Sequence, residues 1–260
     1  MLHILQLTDL HLSSKAPQDP FDLNPSTCLT HVLKNSLAST PEATLMLLTG
    51  DLVHDDVLAY QQVIDNFNHV SIPILHVSGN HDLEHERQKQ LCHFPFLSQK
   101  VWRNEHWQVI MVKSSIDGIV NGEISAQEMA FVTQQLKACP QLFTLIATHH
   151  HPLDVGSAWL DKIGITNGHD FIETLSIFPK VKGITFGHVH QAVDQEIDGI
   201  RFLGCPSTNR QFKPNSDEFS LDDRPLAYRQ IHLHDDGSIE SHVVWVELEK
   251  KQCKNIVFFP

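Results

Sequence analysis

The strongest constraint on the fold is a series of six short apolar runs in the first 190 residues, which alternate with stretches of helical spacing. Apolar runs of about four to eight residues that end at turn residues are typical of buried β-strands. We predict strands at about residues 2–8, 44–49, 73–78, 107–114, 142–148 and 181–186. The alternation of strand and helix favours a layered α/β protein.

Helical spacing occurs after several of these strands. We predict five helices, which begin near Pro25 and Ser125 and cover about 56–69, 83–92 and 169–177. Asn24 precedes the first helix as a candidate N-cap. Ser125 and Glu128 have the spacing of a capping box at the start of the fourth helix.

The pattern changes after residue 190 to paired strands with tight turns. VDQEI and IRFLG are joined by Asp198 and Gly199, and YRQIHLH and SIESHVVWVE flank a second turn that ends at Gly237. Helix and strand alternation followed by hairpins predicts two packed sheets with helices outside. We expect a single domain over residues 1–260, with hairpins in 191–247 and a tail at 248–260.

Composition excludes several classes of protein. The longest apolar runs are about 5 to 9 residues, well below the roughly 20 that cross a bilayer, and the amino terminus reads as a strand rather than a signal peptide. These features predict a cytoplasmic protein without a membrane partner. A net charge of −12 with 19 Lys and Arg argues against a nucleic-acid partner, because affinity for phosphate backbones depends on basic residues.

Cysteine and histidine usage gives two further limits. The five cysteines are widely spread and form no CxxC pair, so neither a disulfide framework nor a zinc knuckle is indicated. The 19 histidines are many for this length, but most lie in polar helical stretches or in the C-terminal strands. A functional role therefore has to be argued from position rather than from abundance.

Polar side chains follow five of the predicted strands, at the point where each strand ends. They are Asp9 and His11, Asp51, Asn80 and His81, His149, and His188 and His190. Ligands in α/β units bind beyond the carboxyl ends of the strands. One such motif is a common turn, whereas five in succession predict a converging site.

The donor types in this set indicate the kind of site. Without His81, the set consists of two carboxylates, one carboxamide and four imidazoles, which are oxygen and nitrogen donors without thiolates and suit divalent Mn, Fe or Zn. Seven such side chains with one bridging carboxylate can hold two ions at the roughly 3.5 to 4 Å separation of two-metal hydrolysis.

The ordered motifs DLH, GD, GNHD, H and GHVH, which span residues 9–190, resemble the calcineurin-like metallophosphoesterase superfamily. HHHPLDVGSAWLD (149–161), GHVHQ (187–191) and CPSTNRQFKP (205–214) further resemble the bacterial 3′,5′-cyclic-AMP phosphodiesterases, the class III cyclic-nucleotide phosphodiesterases. Asp154 departs from the proline expected in the first stretch. The resemblance implies a four-layer αββα sandwich of two mixed sheets flanked by helices.

The resemblance also implies roles for individual residues. One ion is expected on Asp9, His11, Asp51 and His190, and the second on Asp51, Asn80, His149 and His188, with Asp51 bridging. The catalytic residue is expected to be His81, which acts on the leaving oxygen. Substrate contacts are expected from His11, Asn80, His81 and His190. Iron or manganese is expected as the divalent metal, with zinc or magnesium as alternatives.

The sequence allows two interpretations of several nearby residues. His150 and His151 either support the ligands or only pack, and His150 is the alternative to His149 as the ligand. Asp82 either orients His81 or caps a turn. Residues 207–214 either hold a purine and its phosphate or form a polar loop with one anchoring aromatic ring. Residues 159–167 are a second candidate for the pocket wall.

The resulting functional prediction is hydrolysis of 3′,5′-cyclic AMP to 5′-AMP by a metal-activated water. One alternative is hydrolysis of glycerophosphodiesters or other small phosphodiesters, and an alternative of another class is a metal-free interaction scaffold. The acidic balance disfavours a DNA nuclease of the superfamily, and a serine hydrolase lacks the GxSxG motif. The sequence leaves the oligomeric state open.

Overall fold

The computed structural model describes residues 1–15 and 23–248. The tail expected at 248–260 lies outside the described residues apart from Leu248, and so does Cys253. The helices of the described chain are α1 (Pro25–Ser39), α2 (Tyr60–Phe67), α3 (Glu84–Gln90), α4 (Ala126–Ala138) and α5 (Gly168–Ser176), with a short 3₁₀ helix, Val57–Ala59, before α2.

Strands β1 to β8 are β1 (Leu2–Leu7), β2 (Leu45–Leu48), β3 (Ile74–His76), β4 (Val101–Arg103), β5 (Trp107–Met111), β6 (Ser115–Ile116), β7 (Ile119–Gly122) and β8 (Phe143–Ala147). Strands β9 to β15 are β9 (Val181–Phe186), β10 (Val193–Ile197), β11 (Ile200–Gly204), β12 (Gln211–Phe212), β13 (Leu221–Asp222), β14 (Leu226–Leu233) and β15 (Ile239–Val246).

Two large mixed sheets form the centre of the fold. The first has the order β15-β14-β1-β2-β3, in which β1, β2 and β3 are parallel, β14 pairs antiparallel with β1, and β15 pairs antiparallel with β14. The second has the order β10-β11-β9-β8-β5-β4, with four parallel strands and an antiparallel strand at each edge. The expectation of two mixed sheets is confirmed.

The apolar runs are buried on both faces because each sheet lies between a helical layer and the other sheet. Side chains alternate along a strand, so Ile4 of β1 packs in the cluster between the sheets, whereas Leu5 packs in the cluster that contains Val32 of α1. Phe171 of α5 belongs to a third cluster, which covers the outer face of the second sheet. This arrangement is the αββα sandwich, and it explains why the strands read as continuous apolar runs.

The local signals for helix starts are confirmed in part. The Asn24 side chain accepts hydrogen bonds from the backbone N–H groups of Ser26 and Thr27, so the predicted N-cap is confirmed. Ser125 Oγ accepts from Glu128 N at 3.2 Å and caps α4. The reciprocal half of the capping box is wrong, because the Glu128 carboxylate pairs with Lys100 Nζ at 2.5 Å instead of turning back to Ser125.

The two predicted hairpins are confirmed as β10–β11 and β14–β15. Asp198 and Gly199 both have positive φ, 52° and 76°, as the two central residues of a type I′ turn require. The sequence prediction missed β4 and the two-stranded pairs β6–β7 and β12–β13. Strands of two to four residues are too short to show periodicity.

Candidate metal centre

The carboxyl ends of strands from both sheets meet at one edge of the sandwich. Backbone hydrogen bonds join the loops there: Asp9 N donates to Gly50 O at 3.0 Å, His11 N to Asp51 O at 2.9 Å, and Gly187 N to His149 O at 3.0 Å. The structure therefore brings together side chains that lie up to 181 positions apart in the sequence. The seven predicted metal ligands and His81 all lie at this edge.

The first group of donors comes from Asp9, His11 and His190. Their potential ligand atoms all lie within 4.8 Å of one another. His190 Nε2 is 3.2 Å from Asp9 Oδ1 and 3.4 Å from His11 Nε2. Such spacing around a common centre suits one small cation.

The second group is centred on Asp51 and His149. His149 Nε2 lies 3.5 Å from Asp51 Oδ2 and 3.2 Å from Asn80 Oδ1, and the His188 ring centroid is 5.1 Å from that of His149. Asp51 Oδ2 is also 3.7 Å from His11 Nε2. The Asp51 carboxylate thus lies between the two groups and faces both.

Most of these donors lie on left-handed backbone. The positive φ angles are 54° at Asp9, 47° at His11, 50° at Asp51, 62° at His188 and 47° at His190. Non-glycine residues seldom adopt this region, although Asp, Asn and His do so more than most. In both Asp-x-His and His-x-His the middle residue, Leu10 or Val189, is fully buried. Strained backbone of this kind gathers at functional sites, where the surrounding fold enforces it.

Hydrogen bonds from outside the cluster fix the orientation of the ligand rings. His149 Nδ1 lies 2.8 Å from Thr49 O and His190 Nδ1 lies 2.6 Å from Arg210 O. A carbonyl can only accept, so each Nδ1 donates and each Nε2 faces the cluster. Metal-binding histidines are held in this way by partners of the second ring nitrogen.

The carboxylates are held by donors as well. Asp9 Oδ2 accepts from Thr8 Oγ1 at 2.7 Å and from His188 N at 3.0 Å, and Asp51 Oδ1 accepts from His81 N at 2.9 Å. One oxygen of each carboxylate is thereby used by the fold, and the other faces the imidazoles.

Two buried polar atoms at the centre fit a cation. Within the described part of the chain, Asp9 Oδ1 and His188 Nε2 have no hydrogen-bond partner. Buried polar atoms are seldom left unpaired, because an unmade hydrogen bond is costly. A carboxylate oxygen and an imidazole nitrogen with free lone pairs are donors that a divalent ion takes.

The electrostatics of the cluster favour the ligand forms of these side chains. Burial lowers the pKa of His11 to about 3 and that of His188 well below its usual value, so both imidazoles are neutral at pH 7. Burial opposes ionisation of Asp51, but the charge and hydrogen bond of His149, together with the nearby imidazoles of His11 and His81, outweigh it and lower the pKa of Asp51. Burial likewise opposes protonation of His149, yet the Asp51 carboxylate raises its pKa to about 9. A divalent cation between these two groups would displace that proton.

Two glycines leave room for the carboxylates. A Cβ atom at Gly79 would overlap the Asp51 carboxylate and its backbone nitrogen, and one at Gly187 would overlap Thr8 Oγ1 and approach Asp9 Oδ2. The glycines of the GNHD and GHVH motifs are therefore required by close packing against the ligands.

The three consecutive histidines have different environments. His150 uses both ring nitrogens, at 2.9 Å from Ser114 Oγ and 2.9 Å from Val120 O, and its ring centroid lies 4.5 Å from that of His188. His151 is buried and stacks on His188 at 5.8 Å. These contacts support His149 as the ligand and indicate that its two neighbours hold the His188 ring in place.

His81 lies on the open side of the cluster and has two neighbours that the sequence analysis missed. Its side chain is 31% exposed, and Nδ1 lies 3.1 Å from Asp55 Oδ2. Its ring stacks on His54 at 4.3 Å, and His54 Nδ1 lies 3.1 Å from His11 Nδ1. The signal that could have found both residues is their place in GDLVHDD, directly after Asp51.

Asp82 braces the loop instead of orienting His81. Its carboxylate accepts from the backbone N–H groups of Leu52, Val53 and Gly79, at 3.1, 3.2 and 2.9 Å. The interpretation of Asp82 as a turn-forming residue is thus the one that its contacts support.

Residues 207–214 combine a braced loop with one aromatic ring beside the cluster. Gln211 is buried, and its side-chain amide pairs with the backbone N–H and C=O of Ser207 at 3.0 and 2.8 Å. The Phe212 ring stacks on His190 at a centroid distance of 4.0 Å. In the separate stretch 149–161, Asp154, which stands in place of the expected proline, is exposed.

In the parts of the chain that the structure describes, helices long and apolar enough to cross a membrane are absent.

The family model for calcineurin-like phosphoesterases matches residues 2–192. The chain is 33% identical, over its whole length and 93% of the relative, to the 3′,5′-cyclic adenosine monophosphate phosphodiesterase CpdA of Haemophilus influenzae. It is 32% identical to the protein of that name in Escherichia coli, over 93% of this chain and 89% of the relative. Among solved structures, a dimetal phosphatase from Danio rerio shares the fold with a TM-score of 0.63 and 12% identity, over 95% of this chain and 99% of that one. The chain therefore belongs to the calcineurin-like phosphoesterase family.

Proposed function

We propose that this protein is a dinuclear-metal phosphodiesterase that hydrolyses 3′,5′-cyclic AMP to 5′-AMP. The observation that carries the proposal is the position of Asp51, whose Oδ2 faces His11 on one side and His149 on the other. The substrate is proposed from the relatives in Haemophilus influenzae and Escherichia coli, which are 3′,5′-cyclic-AMP phosphodiesterases that align over nearly the whole chain.

Each ion would have four protein ligands. Asp9, His11, Asp51 and His190 would hold the first, and Asp51, Asn80, His149 and His188 would hold the second. When bound, the ions would supply Lewis-acid chemistry, which lowers the pKa of water and neutralises charge on the phosphate. Four neutral imidazoles add no negative charge, so two carboxylates leave the site able to attract an anion. Iron or manganese suits these donors, with zinc or magnesium as alternatives.

His81 is the proposed catalytic residue. In its protonated form it can donate from Nδ1 to Asp55, which lies 3.1 Å away, and from Nε2 to the leaving 3′ oxygen. Its partial exposure leaves it accessible to a substrate, whereas its backbone is anchored to Asp51. His11, Asn80 and His190 are the further proposed substrate contacts, because they border the same space.

The alternative functions are less well supported than hydrolysis of cyclic AMP. Glycerophosphodiesters would use the same ions and differ only in the pocket. A metal-free scaffold is disfavoured by the convergence of all seven donors. The acidic balance still argues against a nucleic-acid partner. A single domain and a cytoplasmic location stay predictions.

Metal analysis combined with a substrate panel tests the proposal. The purified protein, stripped with a chelator and reloaded with manganese or iron, should bind about two ions per chain and turn over cyclic AMP, with 5′-AMP as product. Bis-p-nitrophenyl phosphate reports the metal centre alone, and glycerophosphodiesters test the main alternative. Turnover of glycerophosphodiesters without turnover of cyclic AMP would overturn the substrate assignment. Binding of one ion at full activity would overturn the dinuclear centre.

A further inference from the structure

Three aromatic rings form a cluster beside the proposed metal centre. We call Trp159, Phe212 and Phe219 the aromatic triad. The centroid of Trp159 lies 5.2 Å from that of Phe212 and 5.3 Å from that of Phe219, and Phe212 and Phe219 are 5.4 Å apart. The interplanar angles of 69°, 82° and 71° are the edge-to-face geometry that aromatic pairs favour.

The triad is continuous with the metal centre. Phe212 lies flat on His190, with 4.0 Å between centroids and 12° between planes. His190 Nε2 in turn faces Asp9. Only one ring thus separates Phe219 from a proposed metal ligand.

The three rings differ in burial, and the most exposed of them, Phe219, is not a core residue. Phe212 and Trp159 are half-buried and pack against the apolar cluster of the second sheet, whereas Phe219 is 61% exposed. The two inner rings hold Phe219 in place and leave much of its surface accessible. A fixed and exposed aromatic surface is what a planar ring system stacks on.

We propose that the aromatic triad forms the base-binding subsite of this enzyme, in which a purine stacks on Phe219 while its phosphate lies at the metal centre. This inference rests on the proposed function, because it takes a nucleotide phosphodiester as the substrate. In such a molecule only the ribose separates phosphate from base. A base linked to a phosphate at the ions consequently has to lie within a short distance of His190, where the triad is.

The test compares two product-like ligands that differ only by the base. Inhibition by 5′-AMP and by ribose 5-phosphate is measured on the manganese-loaded enzyme, with bis-p-nitrophenyl phosphate as the reporter substrate. The ratio of the two inhibition constants isolates the contribution of the base, because the phosphate and ribose are shared. We expect 5′-AMP to bind about five- to a hundredfold more tightly, which is the range for stacking of one base.

Phe219→Ala should weaken the binding of 5′-AMP and leave that of ribose 5-phosphate unchanged. The two inhibition constants should then agree within about threefold. Phe219→Trp should keep the ratio of the wild type. Phe94→Ala is the matched control, since Phe94 is 66% exposed and comes from a separate loop. Fluorescence gives a second readout: 5′-AMP should change the emission of the wild type more than ribose 5-phosphate does, and Trp159→Phe should remove that difference.

The outcomes separate this subsite from the proposed function. An unchanged ratio in Phe219→Ala, or equal binding of the two ligands by the wild type, would overturn the subsite. Equal weakening of both ligands would also overturn it, because that result reports damage to the phosphate site. Normal turnover of bis-p-nitrophenyl phosphate without turnover of cyclic AMP would instead overturn the proposed function.

Discussion

The cluster of proposed metal ligands has a buried side and an open side, and the side chains on the two sides are held differently. On the buried side, Asp9, Asp51, His149 and His188 are at most 6% exposed. Several of their polar atoms are fixed by hydrogen bonds to backbone groups from distant strands. On the open side, Asp55 and Phe219 are more than half exposed, and His81 has 31% of its side chain exposed.

The difference indicates a division of work. Side chains that would hold ions are oriented by the fold, since a ligand ring that has to be ordered on binding loses conformational entropy. Side chains that would meet a substrate have to be accessible, and fewer contacts hold them. Changes on the buried side should therefore remove the ions, whereas changes on the open side should leave the ions bound and slow turnover.

The largest effect is expected from Asp51→Ala. Its carboxylate faces both donor groups, so its loss should reduce the metal content at both sites. We expect kcat/KM to fall by more than about a thousandfold, because the loss of even one transition-state donor costs about a hundred- to a thousandfold. Metal analysis and turnover of bis-p-nitrophenyl phosphate measure both effects. Asp65→Ala, an exposed change in α2, is the control. Normal metal content in Asp51→Ala would contradict the bridging role.

His81→Ala should separate the two sides of the cluster. We expect full metal content and a kcat about a hundred- to ten-thousandfold lower, the range for loss of a general acid. His85→Ala, an exposed histidine in α3, is the matched control. Loss of the ions in His81→Ala, or an unchanged kcat, would show that the open side does not work as proposed.

Asp55→Ala should have a smaller effect in the same direction. Asp55 orients His81 through one hydrogen bond, but its side chain is 66% exposed, so we expect a loss in kcat of roughly tenfold, the lower end for a supporting partner. Asp117→Ala, an exposed carboxylate beside Lys113, controls for the change in charge. If adding Asp55→Ala to the His81→Ala variant lowered kcat by a further factor of the same size, the two residues would act independently, and Asp55 would not work through His81.

The smallest effect is expected on stability, from buried imidazoles that stay neutral. Burial and the adjacent Arg87 lower the pKa of His76 to about 3, and burial lowers that of His151 to about 4. The unfolded chain takes up these protons near pH 6.5, so the unfolded state binds more protons than the native state below that pH. Stability is therefore complete above pH 6.5 and falls as the pH drops from 6.5 towards 4.

Each such histidine should lower the free energy of unfolding by about 1 kcal/mol per pH unit in that window. Urea denaturation of the chelator-treated protein at pH 7, 6 and 5 measures the slope. His76→Gln should have a shallower slope than the wild type. A pH-independent midpoint would instead mean that the native and unfolded states take up the same number of protons over this range, so that burial does not keep these imidazoles neutral.

Much of the fold could be predicted because the strands are buried on both faces. β2 reads as a continuous apolar run, β1 is largely apolar, and the turn at Asp198 and Gly199 has a local conformational signature. The two-residue strands β6 and β12 could not be predicted, because they exist only through pairing with a neighbouring segment. Glu128 shows the same limit: its spacing indicated a cap, but Lys100 from another part of the chain takes its carboxylate.

The sequence by itself determined which donors exist and that they follow strand ends, since the order of strands and the residues at their tips are local properties. Tertiary structure decided how those donors are used. It set the left-handed backbone at Asp9 and His190, turned His149 inward and His150 towards Ser114, and brought Phe219 beside Phe212. These features depend on contacts between residues far apart in the chain, and no local pattern of side chains encodes such contacts.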